Sequence, residues 1–246
     1  MATRLVTVFG ASGFVGRHVV QRLAAGGAQV RAAVRNPDEA LFLKPMGYVG
    51  QITPVQANIR NAASVRAAVA GADAVVNLVG ILHESGKQRF DAVHTAGAGN
   101  VARAAQAAGC AALAHVSALG ASTSSPSRYA RSKGAGEKAV RDAFPDAVIL
   151  RPSVMFGPQD GFFNRFAKMA QISPVLPVFG CPFPRFRNGR LDCYGAGGTK
   201  FQPVYAGDVA DAVMKALEGG AAKGKTYELA GPRVYSSVDV MRLVMA

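Results

Sequence analysis

Val6-Thr7-Val8-Phe9-Gly10-Ala11-Ser12-Gly13-Phe14-Val15-Gly16-Arg17 decides how this sequence is read. The β-branched run at 5–9 has the composition of a buried parallel strand. It runs into Gly10, Gly13 and Gly16, after which Val15, Val19, Val20 and Leu23 recur at helical spacing. Strand, glycine turn and helix in that order make a phosphate cradle. Without Cβ atoms the backbone can approach a pyrophosphate, and the helix start offers free N–H groups and a positive dipole end. The spacing is G-x-x-G-x-x-G rather than the commoner G-x-G-x-x-G fingerprint. A glycine-rich turn used only for packing is the bland alternative; a second strand at 29–34 favours dinucleotide binding. The cofactor-binding residues expected from this turn are Gly10, Ser12, Gly13, Phe14, Val15, Gly16 and Arg17.

The pattern then repeats. Strands are predicted at 52–57, 74–78, 113–117 and 147–150. Between them lie a short helix capped by Asn36-Pro37-Asp38-Glu39, a helix capped by Asn61 and carrying Val65 and Val69, a long alanine-rich helix at 90–108, and a helix at 129–142. Such alternation predicts an α/β fold, a doubly wound parallel sheet of Rossmann type, with ligands at the carboxyl ends of the strands. From Arg151 the alternation loosens, so residues 1–150 read as the NAD(P)-binding domain and 151–246 as a small C-terminal, substrate-side lobe interleaved with the last strands. In that lobe Phe162, Phe163, Phe166, Met169 and Ala170 suggest a helix. A short strand is expected at 200–205, a helix capped by Asp208, a last strand at 226–230, and a final helix capped by Ser236 or Ser237. The stretch 181–198, with Arg185, Arg187 and Arg190, has no clean period and reads as a loop.

With 28 Lys and Arg against 15 Asp and Glu, the chain carries a formal charge of +13. That balance favours an anionic partner: a phosphorylated cofactor, an acidic protein face or an anionic membrane surface. The basic residues are scattered singly and form no nucleic-acid module, so no nucleic-acid partner is expected. No apolar run reaches the ~18–20 residues of a membrane span, and the first strand begins almost at Met1 without a signal-peptide pattern, so a cytoplasmic location is expected. Cys110, Cys181 and Cys193 make no C-x-x-C, and His18, His83, His94 and His115 show no ligand spacing; no metal site is expected.

Tyr129-Ala130-Arg131-Ser132-Lys133 places a tyrosine and a lysine four apart, on one helix face. An ammonium beside a phenol favours phenolate, and the same lysine can donate to the ribose hydroxyls of a nicotinamide nucleotide. Tyr129 would then exchange a proton with a substrate hydroxyl or carbonyl while hydride moves at the nicotinamide ring. Ser117, at the end of the fifth strand, would orient that carbonyl. A helix cap or turn is the plain alternative for Ser117. For Tyr129 and Lys133 the sharper question is whether they still perform turnover, since a lysine on a ribose stabilises binding in an inactive protein too.

Gly10, Gly13, Gly16, Asn77, Ser117, Tyr129 and Lys133 together resemble the short-chain dehydrogenase/reductase superfamily in its extended or atypical branch, the NAD-dependent epimerase/dehydratase type. The likeness covers nearly the whole chain. It is closer still to the family of nucleotide-binding accessory subunits of respiratory complex I and their bacterial relatives. That rests on the 9–17 stretch, on Ala130-Arg131-Ser132-Lys133-Gly134-Ala135-Gly136-Glu137-Lys138, on Leu150-Arg151-Pro152-Ser153-Val154-Met155-Phe156-Gly157-Pro158, and on Lys200-Phe201-Gln202-Pro203-Val204-Tyr205 with Gly207-Asp208-Val209-Ala210. The resemblance implies a bound NADPH, structural rather than turned over, and a place on respiratory complex I, peripheral on the cytoplasmic face of the inner membrane. A free-standing NAD(P)-dependent reductase, dehydrogenase or sugar-nucleotide epimerase using Ser117, Tyr129 and Lys133 is the alternative, and an NADP(H) sensor a third. Two departures from the family stand out: residues 181–196 look inserted, and the chain stops near Ala246.

For the cofactor, an NAD site usually places Asp or Glu at the end of the second strand, whereas this chain has Val34-Arg35. A guanidinium suits a 2′-phosphate, with Arg17 as a second positive contact, so NADP(H) is favoured over NAD(H). The alternative is a solvated Arg35 with Asp38 turned inward. Asn58, with Ile59 beside it, is expected at the adenine through its amide oxygen. Asn77, Leu78, Val79 and Gly80 are expected at the adenosine-ribose floor, a turn-forming role being the alternative for Asn77, and Pro152 and Ser153 at the nicotinamide amide.

Overall fold

The computed structural model describes residues 4–173, 175–182, 185–187 and 190–245, which form two compact units: Met1–Pro152 with Gly207–Leu229, and Ser153–Ala206 with Ala230–Ala246. The first unit is built on β1 (Leu5–Phe9), β2 (Gln29–Val34), β3 (Ile52–Gln56), β4 (Ala74–Asn77), β5 (Ala112–Val116), β6 (Val148–Pro152) and the strand Thr226–Leu229. All pair in parallel, in the order Thr226–Leu229, β6, β5, β4, β1, β2, β3. This is a seven-stranded, Rossmann-like α/β sheet. The central strands read as apolar runs because both of their faces are covered. On one face Phe9, Val75 and Leu113 pack with Val65 and Val69 of α2 (Ala62–Val69), Val101 of α3 (Ala98–Ala107) and Val140 of α4 (Arg128–Ala143). An ion pair between Arg22 and Asp211 ties α1 (Phe14–Ala25) to α6 (Ala206–Glu218). Because the chain passes from β3 on one flank to β4 on the other, a crevice opens at the carboxyl ends of β1 and β4.

Local chemistry explains most boundaries. Asn61 accepts from the N–H groups of Ala63 and Ser64, as an N-cap should. The predicted helix at 90–108 is in fact two windings, a wider π-helical turn over Asp91–Gly97 followed by α3. The His94 carbonyl oxygen lies 2.1 Å from where a Cβ on Gly136 of α4 would stand, so α4 and the wide turn touch backbone to backbone. The segment after Pro37 is a 3₁₀ helix, Asp38–Met46, with Asn36 Oδ1 accepting from the Asp38 N–H. Asp208 does not cap α6, which already begins at Ala206; its carboxylate sits in the first turn, favourable to the dipole.

The second unit holds α5 (Phe163–Ala170) and α7 (Ser237–Met245) around Phe166, Leu176, Val240 and Met241. Buried Asp160 caps α5, its Oδ1 accepting from the N–H groups of Phe162 (3.0 Å), Phe163 (2.6 Å) and Asn164 (3.3 Å). Ser236 and Asp239 form a reciprocal capping box at α7, settling the choice between the two serines. The predicted strand at 200–205 splits at Gln202-Pro203: Lys200–Phe201 pairs antiparallel with Tyr235–Ser236, and Val204–Tyr205 pairs in parallel with Met155–Phe156. The predicted loop at 181–198 contains a hairpin, Arg185–Arg187 against Arg190–Asp192; residues 183, 184, 188 and 189 of it lie outside the described residues. Among the described residues no helix is long and apolar enough to cross a membrane.

The α4 contact gives a direct test. Gly136→Ala drives a methyl into the His94 carbonyl, and overpacking of this kind costs about 1–3 kcal/mol. Urea unfolding should show that loss with an unchanged denaturant slope.

Candidate nucleotide site

At the crevice, Gly10 adopts φ 80° and its N–H donates to the Ala33 carbonyl at 3.2 Å, tying the turn to β2. A Cβ there would press to 3.3 Å on the backbone of Leu78 and Val79. At Gly16 a Cβ would stand 2.2 Å from the Gly10 carbonyl oxygen, so α1 can begin this close to the turn only with glycine. Gly13 precedes α1 in extended conformation with no side-chain cap, and the first turn of α1 carries no acid. The N–H groups of that turn are therefore available to an anion.

The cleft in front of this turn has a volume of about 240 Å³. Of the residues expected to bind the cofactor, Gly10, Ser12, Gly13, Arg35, Asn58, Ile59, Leu78, Val79 and Gly80 line it together. Phe14, Val15 and Gly16 belong to α1 behind the turn, Val15 and Gly16 buried. Arg17 is outside the lining: its guanidinium sits 4.5 Å over the Phe42 ring and its Nε donates to the Ser12 carbonyl at 3.5 Å. These contacts brace the turn. Asn58 Oδ1 accepts from the Arg60 N–H at 3.1 Å, so the oxygen expected at the adenine also shapes the turn after β3. Pro152 ends β6, its carbonyl accepting from the Leu119 N–H, and Ser153 opens the second unit. Arg60 and Gln88 also line the cleft and were missed. The rule that reads cofactor choice at the end of the second strand does not look beyond the third.

The lining of the cleft suits the phosphate and adenosine end of a nicotinamide dinucleotide. Glycines clear its phosphate end, Ala57, Ile59, Val79 and Val93 give it an apolar wall, and its charged lining residues are Arg35 and Arg60, with no carboxylate. Asp38 is exposed and outside that lining.

Beside it lies a buried polar cluster. Lys133 is 5% exposed and its Nζ donates to the Val116 carbonyl at 3.4 Å; burial, opposed by Glu137, lowers its pKa to about 8. Nζ would stand 3.1 Å from a Cβ placed on Gly80, which brings the lysine up against a cleft residue. His94 Nε2 accepts from the Ile81 N–H at 3.0 Å. The Ser132 hydroxyl donates to the Tyr129 carbonyl at 2.7 Å, so it accepts from His94 Nδ1–H at 2.8 Å. Burial, then the Lys133 cation, hold the His94 pKa down to about 4. His115, paired through Nδ1 with the Asn77 amide at 3.2 Å, is pushed to about 3 by burial, then Lys133, then His94. The Tyr129 ring stands edge-on to Phe90 and His94, at 5.8 and 5.5 Å between centroids, and burial raises its pKa. In this structure the Lys133 ammonium turns to a backbone carbonyl, and burial raises the phenol. Ser117 Oγ is buried with no hydrogen-bond partner. Arg151 makes two hydrogen bonds to Glu137, at 2.9 and 2.7 Å, which raise its pKa.

Residues 10–162 match the family described as NAD(P)H-binding. The chain belongs to that family. Among curated proteins it is 39% identical, over 98% of its length and 57% of the relative's, to NADH dehydrogenase [ubiquinone] 1 alpha subcomplex subunit 9, mitochondrial, of Arabidopsis thaliana. It is 36% identical to the ceramide reductase of Caulobacter vibrioides over 72% of this chain and 54% of that protein. The chain thus spans little more than half the length of these relatives. Among solved structures, the dTDP-glucose 4,6-dehydratase of Streptomyces venezuelae superposes with a TM-score of 0.78 at 21% identity, covering 98% of this chain and 80% of that one, which shows the shared fold. The protein is an NAD(P)-binding chain of Rossmann-like fold, similar in sequence to the NADH dehydrogenase subunit.

The two histidines set an acid limit. Both have folded pKa values below the ordinary 6.5, about 4 and about 3. Between 6.5 and those values the unfolded chain binds more protons, so stability is present above pH 6.5 and lost as pH falls through 4 and 3. Unfolding free energy measured from pH 7 to 3 should fall on this schedule, and His94→Gln should flatten the upper part of the fall.

Proposed function

We propose that this chain is an accessory protein of respiratory NADH:quinone oxidoreductase that holds NADP(H) as a structural ligand. One contrast within the first unit carries the reading. The glycine-turn end of the cleft is built, lined by Gly10, Gly13, Arg35 and Arg60, while among the described residues Ser117, Tyr129 and Lys133 form no hydrogen-bonded relay: Lys133 donates to Val116, Tyr129 is wedged against Phe90 and His94, and Ser117 Oγ has no partner. The glycine turn and the start of α1 take the pyrophosphate, Arg35 takes the 2′-phosphate, and Lys133 holds the ribose beside Gly80. Kinship with the Arabidopsis complex I subunit supports the accessory role. The charge of +13 supports docking on acidic subunit faces or anionic lipid, peripheral on the cytoplasmic face of the inner membrane.

A second reading rests on kinship with the Caulobacter ceramide reductase and on the presence of all three side chains. Here the nicotinamide supplies hydride, Ser117 orients a substrate carbonyl, the Tyr129 hydroxyl delivers the proton and the Lys133 cation stabilises the resulting phenolate.

Protein isolated from its own host under gentle conditions should carry NADPH in native mass spectrometry and bring respiratory complex subunits with it. Recovery only as a free chain would count against the accessory role. By calorimetry NADPH should bind about tenfold tighter than NADH, a difference of roughly 1.4 kcal/mol; the reverse order would sink the NADP(H) assignment. Tyr129→Phe should leave NADPH affinity within about twofold. If it instead abolishes a measurable carbonyl reduction, the reductase reading wins.

A further inference from the structure

The segment between β4 and the wide turn at Asp91 is a built element. Ser85 and Gln88 exchange backbone hydrogen bonds at 3.1 and 2.8 Å, reversing the chain around Gly86 at φ 51°. Glu84 anchors its base: Oε1 accepts from the Phe90 N–H at 2.9 Å and lies 3.5 Å from Arg89, while Oε2 pairs with Arg128 of α4 at 2.9 Å. At the other end Arg60, just after β3, donates from Nη1 to the Lys87 carbonyl at 2.9 Å. Arg60 and Gln88 line the same cleft as Arg35.

We propose that Arg60 is a second residue for the nucleotide 2′-phosphate, and that residues 81–90 are a clasp that holds its guanidinium at the cleft wall. The inference rests on the NADP(H)-binding reading above. Arg35 is exposed and must be ordered from solvent when it binds. Arg60 is half-buried and already fixed through one N–H to Lys87, which leaves the rest of its five donors for an anion. A pre-oriented guanidinium loses less rotamer freedom on binding and can meet a phosphate with two parallel N–H groups. The lining brings no carboxylate to compete for it. The side chain that meets the 2′-phosphate is then the one that already ties the clasp to the cleft wall.

The test uses the full chain and two probes, NADPH and NADH, with dissociation constants by calorimetry and amide exchange by mass spectrometry. Arg60→Gln should weaken NADPH at least about tenfold and NADH less than about threefold, and Arg60→Lys should recover part of the NADPH loss. In the unaltered protein NADPH should slow exchange across 81–90 more than NADH does, a readout that does not depend on a variant folding. Equal losses for both nucleotides in Arg60→Gln, no loss for either, or equal protection of 81–90 by both would overturn the proposal and leave Arg60 a loop staple. An unaltered protein that binds neither nucleotide would overturn the function reading itself, and this inference with it.

Discussion

Gly16 lies in the first turn of α1 with Gly10 and Ala11 carbonyl oxygens at 2.2 and 2.5 Å from where a Cβ would stand. That contact sets how closely the helix can begin after β1, and with it the placement of the N–H groups that face the cleft. The sheet order makes the same point a crevice, since β2 and β4 diverge on either side of β1. Any larger residue at 16 would lift α1 off the turn and blunt the positive end that receives a pyrophosphate. The ends of β2, β3 and β4 then need only deliver side chains around a position already fixed by backbone.

Much of this was legible in the chain because it is written locally. The β1 and β2 runs alternate with glycine turns, Asn61 stands where a helix start needs a cap, and the end of β2 shows Arg35 where an acid would mark another cofactor. What escaped depends on residues far apart in sequence. The wide turn at Asp91–Gly97 packs its His94 carbonyl against Gly136, some forty positions on. A tyrosine four before a lysine suggests an activated phenol, yet burial beside Phe90 and His94 sets the Tyr129 environment, and no local spacing reports that. Arg60 escaped for the same reason: its meaning comes from sharing a cleft with Arg35, twenty-five positions earlier.

Holding a nucleotide and turning it over ask different things of Lys133. A buried cation with a pKa of about 8 is still charged at neutral pH and suits a ribose and a nearby phosphate charge. Lowering a phenol requires that cation to face the phenol, and here it faces Val116.

The hydrogen bonds around His94 have a direction. Ile81 donates to Nε2, Nδ1 donates to Ser132, and Ser132 donates to a carbonyl oxygen, that of Tyr129. A proton wire must end on a group that can pass a proton onward, and this one ends on an amide oxygen. The chain of bonds is a strut between the β4 exit and α4, a closed road for protons that ends on the backbone of the tyrosine whose side chain the chemistry would need.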